Sequence, residues 1–157
     1  MEFIDLFAGI GGMRLGFQAS GARCVFSSEI DKHAQDTYEE NFGERPLGDI
    51  REIAADQIPT HDVLLAGFPC QTFSIAGVSK LGSMGRDHGL VEKTRGTLFY
   101  EICRILRHHR PRAFLLENVK GLLWHDEGRT FKTIEESLRE LGYATSHRVI
   151  SSANFVP

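Results

Sequence analysis

Short apolar runs alternate with amphipathic stretches along the chain, and glycines or acidic caps mark most of the switches between them. Phe3 to Ala8 has the length and content of a buried strand and runs into Gly9-Ile10-Gly11-Gly12. Arg14 to Ser20 suits a helix with Gly21 as its stop. Ala22 to Glu29 predicts a second strand. Asp31 is placed to cap a helix that carries Ala34, Tyr38 and Phe42 at i, i+4 and i+8 and ends at Gly43. A short third strand is expected just before Asp49, and a fourth over Asp62 to Ala66. A glycine-rich stretch from Gly67 to about Thr94 holds few large apolar residues, and a loop of that length in a compact domain usually serves a function. Leu98, Phe99, Ile102, Ile105 and Leu106 then form a helical stripe. Arg112 to Glu117 predicts a fifth strand. Phe131, Ile134, Leu138 and Leu141 predict a last amphipathic helix stopped by Gly142, and Tyr143 to Ile150 a sixth strand.

Strands alternating with helices predict an α/β domain with a mostly parallel sheet. Ligands bind beyond the carboxyl ends of the strands in such sheets. Four chemically loaded places fall there: Gly9 to Gly12, Glu29, Cys70 and Glu117. The length of 157 residues fits one domain with one core. Apolar residues at 41% and charged residues at 25% are ordinary for a globular chain, and no apolar run approaches the length of a membrane span. The first residues lack the basic segment and apolar core of a signal peptide, so a cytosolic or nuclear compartment is the default expectation. Net charge is −3, with no basic surplus. If the partner is a nucleic acid, much of the phosphate grip is expected outside this chain.

The glycine turn after the first strand lets a ligand approach the backbone, and the following helix supplies free N–H groups. A dinucleotide fingerprint would need a third glycine at position 14, where this chain has Arg14. That departure, and the unexplained Cys70, weigh against a nicotinamide reductase. Glu29 closes the second strand, where an acid accepts hydrogen bonds from ribose hydroxyls. Asp49 is placed to take an adenine amino group. The competing reading makes the glycines a packing turn and the two acids ordinary caps.

The three cysteines are widely spaced and show no Cys-x-x-Cys pattern, so neither a disulfide framework nor a metal site is expected. Cys24 on a strand and Cys103 on a helix read as packing. Cys70 differs, since it stands in a loop and is followed by Gln71, Thr72 and Ser74. A free thiol is only a few per cent thiolate at about pH 7, so nearby N–H groups or a cation must raise that fraction. Parallel fourth and fifth strands would bring Cys70 and Glu117 to one sheet edge. A nucleophile beside a proton donor fits attack on a conjugated ring; the alternative for Glu117-Asn118 is a capped strand-to-loop corner.

Taken in order, Asp5-Leu-Phe-Ala-Gly-Ile-Gly-Gly12, Ser28-Glu-Ile30, Gly48-Asp-Ile50, Gly67-Phe-Pro-Cys-Gln-Thr-Phe-Ser74, Thr94-Arg-Gly-Thr-Leu-Phe99 and Glu117-Asn-Val-Lys-Gly121 resemble the motifs of the C5-cytosine methyltransferases. The resemblance covers essentially the whole chain. It implies a doubly wound, mostly parallel Rossmann-like sheet of the kind that binds S-adenosylmethionine, with S-adenosylhomocysteine as product. It further implies that the Cys70 thiolate attacks C6 of a flipped cytosine while Glu117 contacts N3 and the exocyclic amine. Phe7, Gly9, Gly11, Gly12, Glu29, Ile30, Asp49, Ile50 and Pro69 match cofactor positions. Gln71, Ser74, Arg95 and Asn118 match positions near the DNA. The segment from Gln71 to about Arg95 is expected to close over the base, with Lys80, Arg86, Lys93 and Arg95 suited to phosphate.

In the family, an arginine-rich block, a target-recognition region and a segment completing the fold come after the position of Pro157. The whole of 1–157 is therefore expected to be the N-terminal part of a catalytic and cofactor-binding domain, incomplete at its C-terminus and weakly active at most alone. Its expected partners are double-stranded DNA, the completing part in cis or as a second polypeptide, and a second copy through an open sheet edge. An RNA methyltransferase of the same architecture and a non-catalytic subunit of a split enzyme remain as alternatives. The place of work would be the nucleoid in a prokaryote and the nucleus in a eukaryote.

Overall fold

The structure is a computed structural model that describes residues 1–69 and 98–155. The chain divides into two units, Met1–Asn118 and Val119–Pro157.

The first unit is built on a four-stranded sheet of β1 (Glu2–Leu6), β2 (Arg23–Ser28), β3 (Val63–Gly67) and β4 (Ala113–Glu117) in the order β2-β1-β3-β4. Every pairing is parallel. Phe3 to Leu6 of β1 run beside Val63 to Ala66 of β3, and Gly67 of β3 lies opposite Glu117 of β4. The central strands read as continuous apolar runs because both of their faces are covered. Phe3, Ile4, Leu6, Leu64, Leu65 and Ala66 are fully buried. Each large side chain among them contributes about 1.5–3 kcal/mol by leaving water. β4 alternates between exposed and half-buried positions, with Leu115 48% exposed. Among the described residues no further strand pairs with β4.

Helix α1 (Gly12–Ala19) connects β1 to β2, and α2 (Lys32–Phe42) follows β2. The Asp31 side chain accepts the Ala34 N–H at 2.9 Å, and Gly43 ends α2 with φ 72°. Helix α3 (Leu98–His109) buries Phe99, Ile102, Ile105 and Leu106, the stripe read from the sequence. It also carries Arg104, whose guanidinium donates to the carbonyls of Ile50 (3.0 Å) and Ile53 (2.9 Å). Those contacts hold the 3-10 turn Ile50–Glu52, and a bond between His109 Nε2 and the Ala55 carbonyl (2.7 Å) holds a second, Ala55–Gln57, against α3. Cys103 is buried and Cys24 half-buried, as expected of packing residues.

Two expected strands do not form. The third shrinks to a single parallel bridge between Ser28 and Leu47. Leu47 donates to Ser27 and accepts from Glu29, but its neighbours are Pro46, which lacks an N–H, and Gly48, which brings no side chain. The sixth, over 143–150, is irregular. A strand is stable only as a member of a ladder, and among the described residues this segment has none; Ile150 is 65% exposed.

The described residues of the second unit form three 3-10 turns, Lys120–Leu123, His125–Gly128 and Ser152–Asn154, and helix α4 (Arg129–Glu140). Ile134, Leu138 and Leu141 are buried. His125 Nδ1 pairs with the Thr130 hydroxyl at 2.7 Å, and the Arg129 guanidinium bonds to Asp126 and Glu127.

Arg14 is the residue that the apolar pattern concealed. It sits in the first turn of α1 and is only 6% exposed. Its guanidinium donates to the Tyr38 hydroxyl at 2.9 Å, pairs with Glu44, and lies 4.3 Å from the Phe42 ring centroid. One side chain thus ties α1 to α2 by a charge-assisted bond and a cation–π contact. Arg14→Ala is expected to lower stability by about 2 kcal/mol in urea titration. Arg14→Lys should recover less than half of that, because an ammonium lacks the planar face.

Candidate active site at the carboxyl edge of the sheet

Because all four strands are parallel, their carboxyl ends share one edge. The order β2-β1-β3-β4 puts a switch point between β1 and β3, where chain crossovers diverge and leave a crevice. The β1/β2 side of that edge holds the glycine turn and Glu29. The β3/β4 side holds Gly67 to Pro69 and Glu117.

The turn is bent by three left-handed residues, Phe7 (φ 56°), Gly9 (φ 55°) and Gly11 (φ 92°). A bulky residue in that region is strained, by about 1–2 kcal/mol, and such outliers concentrate at functional sites. Two contacts hold the turn in place. The Gly9 N–H donates to Glu29 Oε2 at 2.8 Å, and the Asn41 amide donates to the Ile10 carbonyl at 3.2 Å. Glu29 Oε1 also accepts the Asp31 N–H at 2.8 Å. The carboxylate therefore spans β1 and α2 while half-exposed, and each of its oxygens keeps a lone pair for a ligand hydroxyl. Among the described residues nothing lies within 4 Å of where a Cβ would stand on Gly9 or Gly12, which leaves room for a ligand to reach the backbone. Ile30 is 62% exposed beside Glu29 and offers an apolar face; Ile10 and Leu47 are also exposed on the segments bonded around it.

Gly11 serves a different need. A Cβ there would collide with the Phe42 ring, the same ring that stacks on Arg14. Asp49 caps the first 3-10 turn and is gripped by Arg51, whose side-chain bonds hold its carboxyl below the usual carboxylate range. Ile50 is buried, so its side chain supports Asp49 from the core.

On the other side of the switch point, Glu117 and Gly67 are register partners. A Cβ on Gly67 would stand 3.5 Å from Glu117 Oε2 and 3.9 Å from Met13 Sδ of α1. The glycine thus lets the two halves of the edge meet. The Asn118 amide donates to the Phe68 carbonyl at 2.6 Å, and the Phe68 ring packs 5.8 Å from that of Phe99. These contacts fix the approach to Pro69, which is exposed at the end of the described segment. Cys70, Gln71, Ser74 and Arg95 lie outside the described residues.

Asp5 was no candidate in the sequence beyond its place in the first motif. It is fully buried on β1. Among the described residues neither carboxyl oxygen closes a hydrogen bond. Burial pushes its pKa up to about 7, against the pull of the Arg14 backbone N–H and guanidinium and with the help of the Glu29 charge. The signal available in the sequence was only an acid within an apolar strand.

A family model for the C-5 cytosine-specific DNA methylases matches residues 1–156. The chain is 56% identical over 155 residues to the Type II methyltransferase M.DsaV of Dactylococcopsis salina, covering 99% of this chain and 42% of that protein. It is 57% identical over 152 residues to the Type II methyltransferase M.HaeII of Haemophilus aegyptius, covering 97% and 45%. The crystal structure of S. pombe Dnmt2 methyltransferase shares the fold with a TM-score of 0.71 at 22% identity, over 99% of this chain and 44% of that one. The chain belongs to the C-5 cytosine-specific DNA methylase family. It spans less than half the length of these curated relatives.

Two predictions follow from the local geometry. Gly9→Ala should cost about 1 kcal/mol for its positive φ alone, whereas Gly11→Ala should cost at least twice that because the Phe42 ring must also move; denaturant titration distinguishes the two. Asp5 holds a proton in the folded chain at pH values where the unfolded chain has released it. Its stabilising contribution is complete below about pH 4 and is lost as pH rises through about 7, by up to about 4 kcal/mol. Asp5→Asn should be more stable than the parent at about pH 8 and show no such advantage at about pH 4.

Proposed function

We propose that this chain is the catalytic and cofactor-binding portion of a DNA cytosine-5 methyltransferase. The observation that supports it best is the register of β3 against β4. It sets Gly67 opposite Glu117, three residues before Cys70, on the same edge as the Gly9–Gly12 turn and Glu29.

The turn and Glu29 suit S-adenosylmethionine, with open space over Gly9 and Gly12, a carboxylate with free lone pairs, and an apolar face at Ile30. Phe7, Gly11, Asp49, Ile50 and Pro69 complete that surface or brace it. Bound there, the cofactor supplies an electrophilic methyl group. The residues of this chain do the rest. The Cys70 thiolate adds to C6 of a cytosine turned out of double-stranded DNA, a displacement that costs a few kcal/mol. Glu117 hydrogen-bonds N3 and the exocyclic amine and stabilises the charge that develops on the ring. The activated C5 takes the methyl group, a base removes the C5 proton, and the ring expels the thiolate. Asn118 holds the Phe68–Pro69 approach so that Cys70 and Glu117 act on one ring. Gln71, Ser74 and Arg95 contact the DNA.

Residues 1–157 are the N-terminal part of the catalytic domain in this reading. The completing and target-recognition parts come in cis or from a second polypeptide, and the outer edge of β4, where no described strand pairs, is a place for an added strand or a second copy.

With the completing part supplied, DNA containing 5-fluorocytosine should become covalently trapped, because fluorine cannot leave as the proton does. Cys70→Ser should abolish the adduct on a denaturing gel. Glu117→Gln should slow its formation by about 100-fold or more while DNA binding persists. An adduct that survives Cys70→Ser would refute the assignment of the nucleophile.

A further inference from the structure

We propose that Asp5 is a charge-sensing anchor beneath the glycine turn, giving up its proton when a cationic ligand occupies the turn and regaining it when that ligand loses its charge. The inference rests on the cofactor reading above and extends it to a residue that does not touch the ligand.

Helix α1 begins at Gly12 with Gly11 as its N-cap. It has no side-chain cap and no acid in its first turn. The positive end of the helix is therefore left to more distant groups. Asp5 is the acid placed to answer it. Its side chain is fully buried, neither carboxyl oxygen has a closed hydrogen bond among the described residues, and the backbone N–H of Arg14, the third residue of α1, draws on it. Burial favours the neutral acid; the helix end favours the anion. Those opposed demands leave the carboxyl balanced near neutral pH.

Among the described residues the charges around it are few. Arg14 comes from α1, and Cys24 and Glu29 from β2. Tyr38 comes from α2 and acts through Arg14, as does Glu44. β3 contributes only Val63 to Gly67, none of which titrates. Of the groups acting on Asp5, Glu29 opposes its ionisation and also holds the glycine turn. A ligand cation at that turn acts with the opposite sign to Glu29 and favours the Asp5 anion.

S-adenosylmethionine carries a sulfonium and an ammonium against one carboxylate and is net positive. On methyl transfer the S–CH3 bond breaks, and the sulfur keeps the electron pair as a neutral thioether. The product has lost one positive charge. Asp5 then recovers a proton from solvent, and the anion that favoured the substrate no longer holds the product.

The test is calorimetric titration of the chain, with the completing part supplied as in the trapping experiment, with S-adenosylmethionine and, separately, with S-adenosylhomocysteine. It is run near pH 7 in two buffers of different ionisation enthalpy, on the parent and on Asp5→Asn. Subtracting the variant removes the titration of the ligand's own amine. If binding lowers the Asp5 midpoint by about one unit, the parent releases about 0.4 proton more than the variant with S-adenosylmethionine and almost none more with the product. Relative to Asp5→Asn, its affinity for S-adenosylmethionine rises about fivefold between about pH 6 and pH 8. Equal proton release by parent and variant, with the cofactor bound, overturns the inference and leaves the cofactor reading standing. Failure of the parent to bind either ligand overturns both. Carboxyl carbon NMR of Asp5 in the parent gives the same answer without a variant. Its midpoint should move down with S-adenosylmethionine and stay in place with the product; a midpoint unmoved by both overturns the inference.

Discussion

The hydrogen bonds that β1 makes to both of its neighbours position everything else in the first unit. β1 pairs with Arg23 to Ser28 on one side and with Val63 to Ala66 on the other, in parallel on both. Parallel pairing leaves no choice about direction, so every strand ends at the same edge. β3 carries the same frame to β4 and brings Glu117 level with Gly67. Had either β1–β3 or β3–β4 alone been antiparallel, the glycine turn and the Glu117 corner would stand at opposite ends of the sheet.

A second layer of contacts turns that edge from a row of strand ends into a shaped surface. Arg14 binds α1 to α2 through Tyr38 and Phe42, and the Phe42 ring in turn occupies the space that only a glycine at position 11 leaves open. Glu29 and Asn41 hold the turn from β2 and α2. Asn118 holds the strand end before Cys70 from β4. Glu29, Asn41 and Asn118 each bind backbone across an element boundary, so the polar side chains of the edge preorganise it as well as line it.

Much of this was legible in the chain because it depends on local rules. Glycines at 21, 43 and 142, the Asp31 cap and the Leu98–Leu106 stripe marked the elements where they were found, since left-handed backbone, free N–H groups and helical periodicity act over a few residues. The edge residues were legible through motif order. The strands expected before Asp49 and over 143–150 failed for the opposite reason: a strand exists through its partner, and apolar content alone does not supply one. In the sequence Arg14 stands out only as a missing glycine, because its partners Tyr38, Phe42 and Glu44 are at least 24 residues away. Asp5 and the Asn118 tie to Phe68, 50 residues apart in sequence, were hidden in the same way.

The central claim is that one edge of the parallel sheet is the ligand-binding face. Backbone NMR of the isotopically labelled chain, titrated with S-adenosylmethionine, addresses it most directly. Amide shifts should concentrate at Phe7, Gly9, Gly12, Glu29 and Ile30, with smaller changes at Gly67 and Glu117. Residues at the amino ends of the strands, such as His61 and Arg112, should stay in place. Shifts centred on that opposite end, or spread without preference over both, would contradict the account.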